Sequence, residues 1–187
     1  MKVLRFKSSL VFRRWLEKNH GKSDGIWLRF FKKASGVKSV NHAEALDHAL
    51  CHGWIDGQTK SFDALSWLQK FTPRRSKSGW SKINTKHVER LAKAGAMAPA
   101  GLAAVEAAKD DGRWAAAYSS PRDATLPEDF AKELAANQKA HAFFKTLNKA
   151  NVYSIVYRLQ TAKKPETRVR RMKMILAMMD QGKSFHP

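Results

Sequence analysis

The apolar positions of the chain change period several times, and each change marks an element. Phe12, Trp15 and Leu16 share one face at helical spacing; Ser8 or Ser9 can cap that helix and His20-Gly21 ends it. From Gly25 to Lys33 the period drops to two. Ile26, Leu28 and Phe30 fall on one face and Trp27, Arg29 and Phe31 on the other, which predicts a strand. Asn41-His42-Ala43-Glu44 has the form of a capping box with Asn as the cap. Leu46, Ala49 and Leu50 make the buried face of the helix that follows, and Gly53 can stop it in the left-handed conformation. Trp54-Ile55-Asp56-Gly57, a polar turn near 61–64 and an extended run over 65–72 predict a β-hairpin. Asn84 or Thr85 caps a helix with Val88, Leu91 and Ala92 turned inward, ending at Gly95. Pro99 suits the first turn of another, through Ala104, Val105 and Ala108, which Asp111-Gly112 ends.

Beyond a linker rich in Pro, Ser and Asp, from Ser119 to Pro127, only helical periods occur. Thr125-Leu126-Pro127-Glu128 reads as a capping box with Pro at the first helical position, Asn137 and Asn151 as caps of two more helices, and Pro165 and Gly182 as the limits of the last. Ile175, Met172, Leu176 and Met179 form an apolar stripe, expected to be core. The predicted fold is α+β: a domain over 1–118 with helices packed on a small antiparallel sheet, then a helical C-terminal subdomain over 125–187. A chain of 187 residues suits one domain or one with a helical appendage.

Composition sharpens this picture. Hydrophobic residues at 43% and charged residues at 27% argue against disorder. Cys51 is the one cysteine, so neither an internal disulfide nor a Cys-only zinc site can form. No stretch approaches the roughly 20 apolar residues of a membrane span. The longest apolar run in the first 16 residues, Leu10-Val11-Phe12, is too short for a signal-peptide core. A cytoplasmic location is expected. Charge changes the picture most: 35 Lys plus Arg against 16 Asp plus Glu give +19. It is distributed as +13 over 1–100, −3 over 101–135 and +9 over 136–187. Such a chain seeks a polyanion, with nucleic acid one candidate.

Two basic clusters could hold an anion. Arg74-Arg75-Ser76-Lys77-Ser78-Gly79-Trp80-Ser81-Lys82-Ile83-Asn84 follows a strand end and precedes a helix, where outward-pointing amides and the helix dipole favour negative charge. Trp80 could stack on a base, or could anchor the loop in the core. In the second cluster, Lys163 to Lys173, Arg168 and Arg171 lie three apart on one side of a helix. His48 and His52 have a spacing that can share a metal. The Glu of a metalloprotease motif is absent, however, since residue 49 is Ala, and no metal or cofactor is expected. Cys51 sits on an apolar helix with no base fixed beside it. Glycine-rich nucleotide loops, nucleophile elbows and carboxylates paired at a telling spacing are missing.

The blocks Ala45-Leu46-Asp47, Leu50-Cys51-His52-Gly53-Trp54-Ile55-Asp56-Gly57, Phe71-Thr72-Pro73-Arg74-Arg75 and Trp80-Ser81-Lys82-Ile83-Asn84 resemble the bacterial YdeI/OmpD-associated family of bacteriocin-protection proteins. The resemblance continues through Gly101-Leu102 and Gly112-Arg113-Trp114 to Thr161–Arg168. His52 departs from it, because the family often has an aromatic residue there. The resemblance implies outer-membrane-protein association and bacteriocin tolerance, and brings no reaction with it. Asp56, Arg74, Arg75, Trp80, Ser81, Lys82 and Asn84 are its candidate ligand contacts.

The expected function is therefore a cytoplasmic binding protein for an anionic ligand or polyanion, in bacteriocin tolerance or envelope stress, with an envelope-related protein as a further partner. Two other classes stay open. One is a small enzyme acting on a phosphate- or carboxylate-bearing substrate, with Asp56 as acid or base and Arg74 and Lys82 holding substrate. The other is a protein–protein adaptor. A hairpin also brings Asp56 and Arg74 or Arg75 within reach of each other, and a charge-assisted pair between them is expected.

Overall fold

The computed structural model of the protein describes residues 1–187, which form two compact units. The first comprises 1–80 and 84–115, the second 81–83 and 116–187. No helix is long and apolar enough to cross a membrane.

In the first unit, alternation along the chain becomes a four-stranded sheet in the order β1-β2-β4-β3. Its strands are β1 (Val3–Leu4), β2 (Ile26–Phe31), β3 (Trp54–Asp63) and β4 (Ser66–Pro73). The expected hairpin is present, with β3 antiparallel to β4, and β4 antiparallel to β2 through Phe30↔Trp67 and Ile26↔Phe71. The sheet is mixed rather than wholly antiparallel, because Val3–Leu4 adds to β2 in parallel. Helix α1 (Ser9–Asn19) lies between β1 and β2 in the chain, and a crossover of this kind lets two neighbouring strands run the same way. A two-residue strand is too short to show a period.

The core lies on the face of the sheet that α1 and α2 (His42–Cys51) cover. Ile26, Leu28, Phe30 and Phe71 pack there with Phe12 and Leu16 of α1, Ala45 and Ala49 of α2, and Trp54. The capping box forms: Asn41 accepts from the Glu44 amide, and the Glu44 carboxylate accepts from the Asn41 amide. Gly53 follows with φ +73°, where a side chain would be strained and would also press on the Ala100 carbonyl.

Helix α3 (Lys82–Lys93) starts before either expected cap, Asn84 or Thr85. The Lys82 amide donates to Tyr118 O at 2.9 Å, so a backbone contact fixes the start. Thr85, Val88 and Leu91 are its buried face, and Ala92 is exposed, one residue off that stripe. In α4 (Pro99–Asp110) the buried residues are Gly101, Val105 and Ala108, with Pro99 in the first turn as expected.

The second unit packs α5 (Glu128–Ala136), α6 (Gln138–Phe144), α7 (Lys149–Gln160) and α8 (Pro165–Asp180) around Phe130, Leu134, Ala140, Ile155, Leu159, Ile175 and Met179. The α8 stripe is core: Met172 and Leu176 pack against this cluster. Two local expectations change. Pro127 is the N-cap of α5 in an extended conformation with ψ 139°, so the Thr125 capping box does not form. Asn148, not Asn151, caps α7. Asn151 is buried inside the helix, where its amide donates to Asn148 Oδ1 and to His186 O.

Candidate functional site

The basic loop after β4 is rooted by main-chain bonds. Arg74 N–H donates to Gly53 O at 2.9 Å, which extends the hairpin by one step. The Ser78 amide and hydroxyl both donate to Arg75 O, at 3.0 and 2.9 Å, and close a turn. The Arg74 guanidinium lies 3.4 Å from the Trp80 ring centroid and donates to Gly79 O. Trp80 is 2% exposed and packs on Trp114 at 5.0 Å between centroids. Trp80 is thus the floor of the loop, and Arg74 covers it. Arg113, also buried, donates to Ser78 O at 3.1 Å and holds Asp111 at 2.6 Å, pinning the loop from the far side. Arg75 and Lys77 are exposed at its tip. The indole N–H of Trp80 is buried with no hydrogen-bond partner.

Asp56 stands at the base of the hairpin on the core-facing side, opposite Phe71. Its carboxylate meets His42 Nε2 at 3.0 Å and the Gln69 amide at 3.4 Å. Gln69 in turn donates to Gly57 O and accepts from the Thr59 hydroxyl. So Asp56 pairs with His42 rather than with Arg74 or Arg75. The reason is register: Pro73 pairs with Trp54, and beyond it Arg74 turns towards Gly79 and Trp80. In the sequence His42 stands only within the capping box; its meeting with Asp56 comes from the packing of α2 against β3.

Of the remaining candidates, Asn84 belongs to the first unit, and Ser81, Lys82, Arg168 and Arg171 to the second. Ser81 forms an isolated β-bridge to Tyr118, and the first amide of α3 already has an acceptor. Arg168 and Arg171 do converge, but on the end of α7. Arg168 donates to Leu159 O at 2.7 Å and makes a two-oxygen clasp on Asp129. Arg171 donates to Arg158 O at 2.6 Å. Cations suit this place, because the last carbonyls of a helix lack internal partners. The Arg168 hydrogen bond holds the Asp129 carboxyl below the usual range. Beside them, the outer side of α8 shows exposed Arg170 and Lys173 around a shallow depression with Val169.

The helix histidines and the cysteine have structural settings. His52 Nδ1 lies 2.8 Å from His48 O, and no group of three or more His, Cys, Asp or Glu is placed to hold a metal. Burial lowers the His48 pKa and raises that of the Cys51 thiol, which is 3% exposed. Asp47 ties α2 to α3 through Arg90, at 2.7 Å to both oxygens, and His87.

Two family models match the chain. Residues 4–104 match the family described as a domain of unknown function (DUF8412), a stretch covering more than half of the 187 residues, and the chain belongs to that family. The helices of the second unit, α5 to α8, lie within residues 123–182, which match the family described as bacteriocin-protection, YdeI or OmpD-associated. The sequence blocks between 45 and 84 fall in the first match and the block 161–168 in the second. The second match associates residues 123–182 with bacteriocin protection. No curated protein and no solved structure matches the chain.

Proposed function

We propose that the protein is a cytoplasmic anion-binding protein of the bacteriocin-protection type, and that the Arg75–Lys77 tip of the basic loop contacts its ligand. The observation that carries this reading is a charge excess that internal pairing cannot remove. The first unit has 21 basic side chains against 10 acidic, and the second 14 against 6, so each is strongly positive in its own right, by 11 and by 8. Ion pairs such as Arg29–Asp63, Arg90–Asp47, Arg113–Asp111 and Arg168–Asp129 serve the fold. Lysines such as Lys33, Lys77 and Lys163 stand exposed. Excess charge of one sign lowers stability through self-repulsion and raises the local concentration of opposite charge.

In this reading Arg74 is a positioning residue: stacked on Trp80, it fixes the turn that presents Arg75 and Lys77. The two regions 1–118 and 125–187 act as separate domains, the second carrying the bacteriocin-protection association. A thermal-shift screen with inorganic phosphate, nucleotides, sugar phosphates, heparin and short nucleic acids tests the reading. At least one polyanion is expected to raise the melting temperature, and Arg75→Glu with Lys77→Glu to reduce that rise while leaving the free protein's melting point nearly unchanged. Absence of any shift with every anion would reject it. The His42–Asp56 pair favours one second reading, an enzyme in which Asp56 orients His42 as a general base. Under that reading His42→Ala removes turnover of a phosphate or carboxylate ester and leaves its binding intact.

A further inference from the structure

The outer face of the sheet in the first unit departs from an ordinary solvent face. β2 places Trp27, Arg29 and Phe31 there, opposite the buried Ile26, Leu28 and Phe30. In register, Lys70 lies opposite Trp27, Leu68 opposite Arg29, and Lys60 of β3 beyond Leu68. Lys60 Nζ sits 4.4 Å from the Trp27 ring centroid. The Arg29 guanidinium lies 4.6 Å from the Phe31 ring and 4.5 Å from the Phe62 ring. Lys60 is exposed and Phe62 is 50% exposed. The carboxylate on this face, Asp63, is held by Arg29 at 2.6 Å.

Water-facing sides of antiparallel sheets ordinarily carry polar side chains. Here three aromatic rings lie among three cations, in a unit with 21 basic and 10 acidic side chains. At one end the face opens into a depression of about 360 Å³ between the hairpin turn and the 3-10 turn Lys33–Ser35, lined by Arg29, Phe31, Val37 and Leu65 among others. Cations lying over ring faces beside a half-exposed Phe62 match a ligand that carries both flat rings and anions. Unpaired bases expose both faces for stacking and their phosphates lie within reach of lysines, whereas the bases of a duplex are stacked on each other.

We propose that this sheet face binds single-stranded nucleic acid, with a base stacked on Phe62, phosphates on Lys60 and Lys70, and one base in the depression beside Phe31. The site shares no residue with the Arg75–Lys77 tip, and it goes beyond the reading given for that loop.

The experiment is fluorescence anisotropy of fluorescein-labelled oligothymidylate and of a duplex of the same length, with the full chain. The variants are Phe62→Ala, Phe62→Tyr, Lys60→Glu and, as a charge control on α6 of the second unit, Lys139→Glu. Phe62→Ala is expected to weaken single-strand binding about tenfold or more, as removal of a stacking ring does. Phe62→Tyr should bind like the wild type, and Lys60→Glu should weaken binding more than Lys139→Glu. Duplex binding should be unaffected by Phe62→Ala. Equal affinity of wild type and Phe62→Ala for the single strand would overturn the proposal. So would an equal loss on the duplex. Loss through Arg75→Glu with Lys77→Glu alone would leave the loop reading standing and remove this one.

Discussion

Gly101 of α4 is the position where a single methyl group most sharply tests the packing that holds the basic loop in place. A Cβ there would collide with the Cys51 carbonyl oxygen at the end of α2, and would lie 2.9 Å from Met97 Cε. The Ala98 amide donates to the same carbonyl at 3.0 Å, and Gly53, two residues on, accepts from Arg74 N–H. Two effects oppose each other in Gly101→Ala. Alanine gains about 1 kcal/mol over glycine in a helix interior. Against this, insertion into a filled contact costs about 1–3 kcal/mol, and a main-chain carbonyl cannot swing aside as a flexible side chain does. Against unyielding main chain the cost falls in the upper part of that range, about 2–3 kcal/mol, so the collision wins with a net loss of about 1–2 kcal/mol. At about 2–4 °C per kcal/mol for a chain of this size, the melting temperature falls by about 2–8 °C. Gly21→Ala is the paired control: nothing lies within 4 Å of its Cβ, so it should be neutral or slightly stabilising. Differential scanning calorimetry of the two variants reads both signs. A Gly101→Ala protein melting at or above the wild type would refute the close approach of α4 to the end of α2.

Arg168→Ala should cost more stability than Asp129→Asn in thermal melts, because Arg168 also donates to Leu159 O, whereas the partly exposed ion pair alone contributes no more than about 1 kcal/mol. The depressed Asp129 pKa gives the pair's contribution a direction: it is present above the ordinary carboxyl range near pH 4 and is lost as pH falls through the lowered value. Acid titration of stability should therefore flatten in Asp129→Asn, and an unchanged profile would contradict the pairing. The Cys51 thiol should resist a thiol reagent at mildly alkaline pH until denaturant is added, since burial raises its pKa; rapid native labelling would show the end of α2 to be open. Asn148→Ala should lose about 1 kcal/mol as a lost N-cap, and equal stability of the variant in urea titration would place the cap elsewhere.

Elements written by neighbouring residues were legible. The Asn41–Glu44 box, the strand alternation at 26–31 and the hairpin all form, because their determinants lie within a few residues. Elements settled at a distance were not. Asn148 and Asn151 offer the same local chemistry, and the bond from Asn151 to His186, 35 residues on, distinguishes them. The start of α3 depends on Tyr118, and β1 becomes a strand only because β2 is beside it. For the candidate site, the two basic clusters were visible as composition. The occupation of Arg168 and Arg171 by α7 carbonyls, and of Asp56 by His42, arises from packing. The aromatic side of β2 was visible too, since Trp27 and Phe31 share a face; the meeting of that face with Lys60 and Phe62 needed the register of the sheet.

The central claim is that the uncompensated positive charge is there to bind an anionic partner, and its salt dependence tests that most directly. The affinity of the intact protein for a fluorescein-labelled polyanion, a DNA duplex, should be measured from low to near-physiological salt. The account predicts binding at low salt that falls log-linearly with salt, with a slope of about −0.9 for each phosphate contacted, and a shallower slope in Arg75→Glu with Lys77→Glu. Failure to bind at low salt, or binding indifferent to salt and to that double substitution, would contradict it.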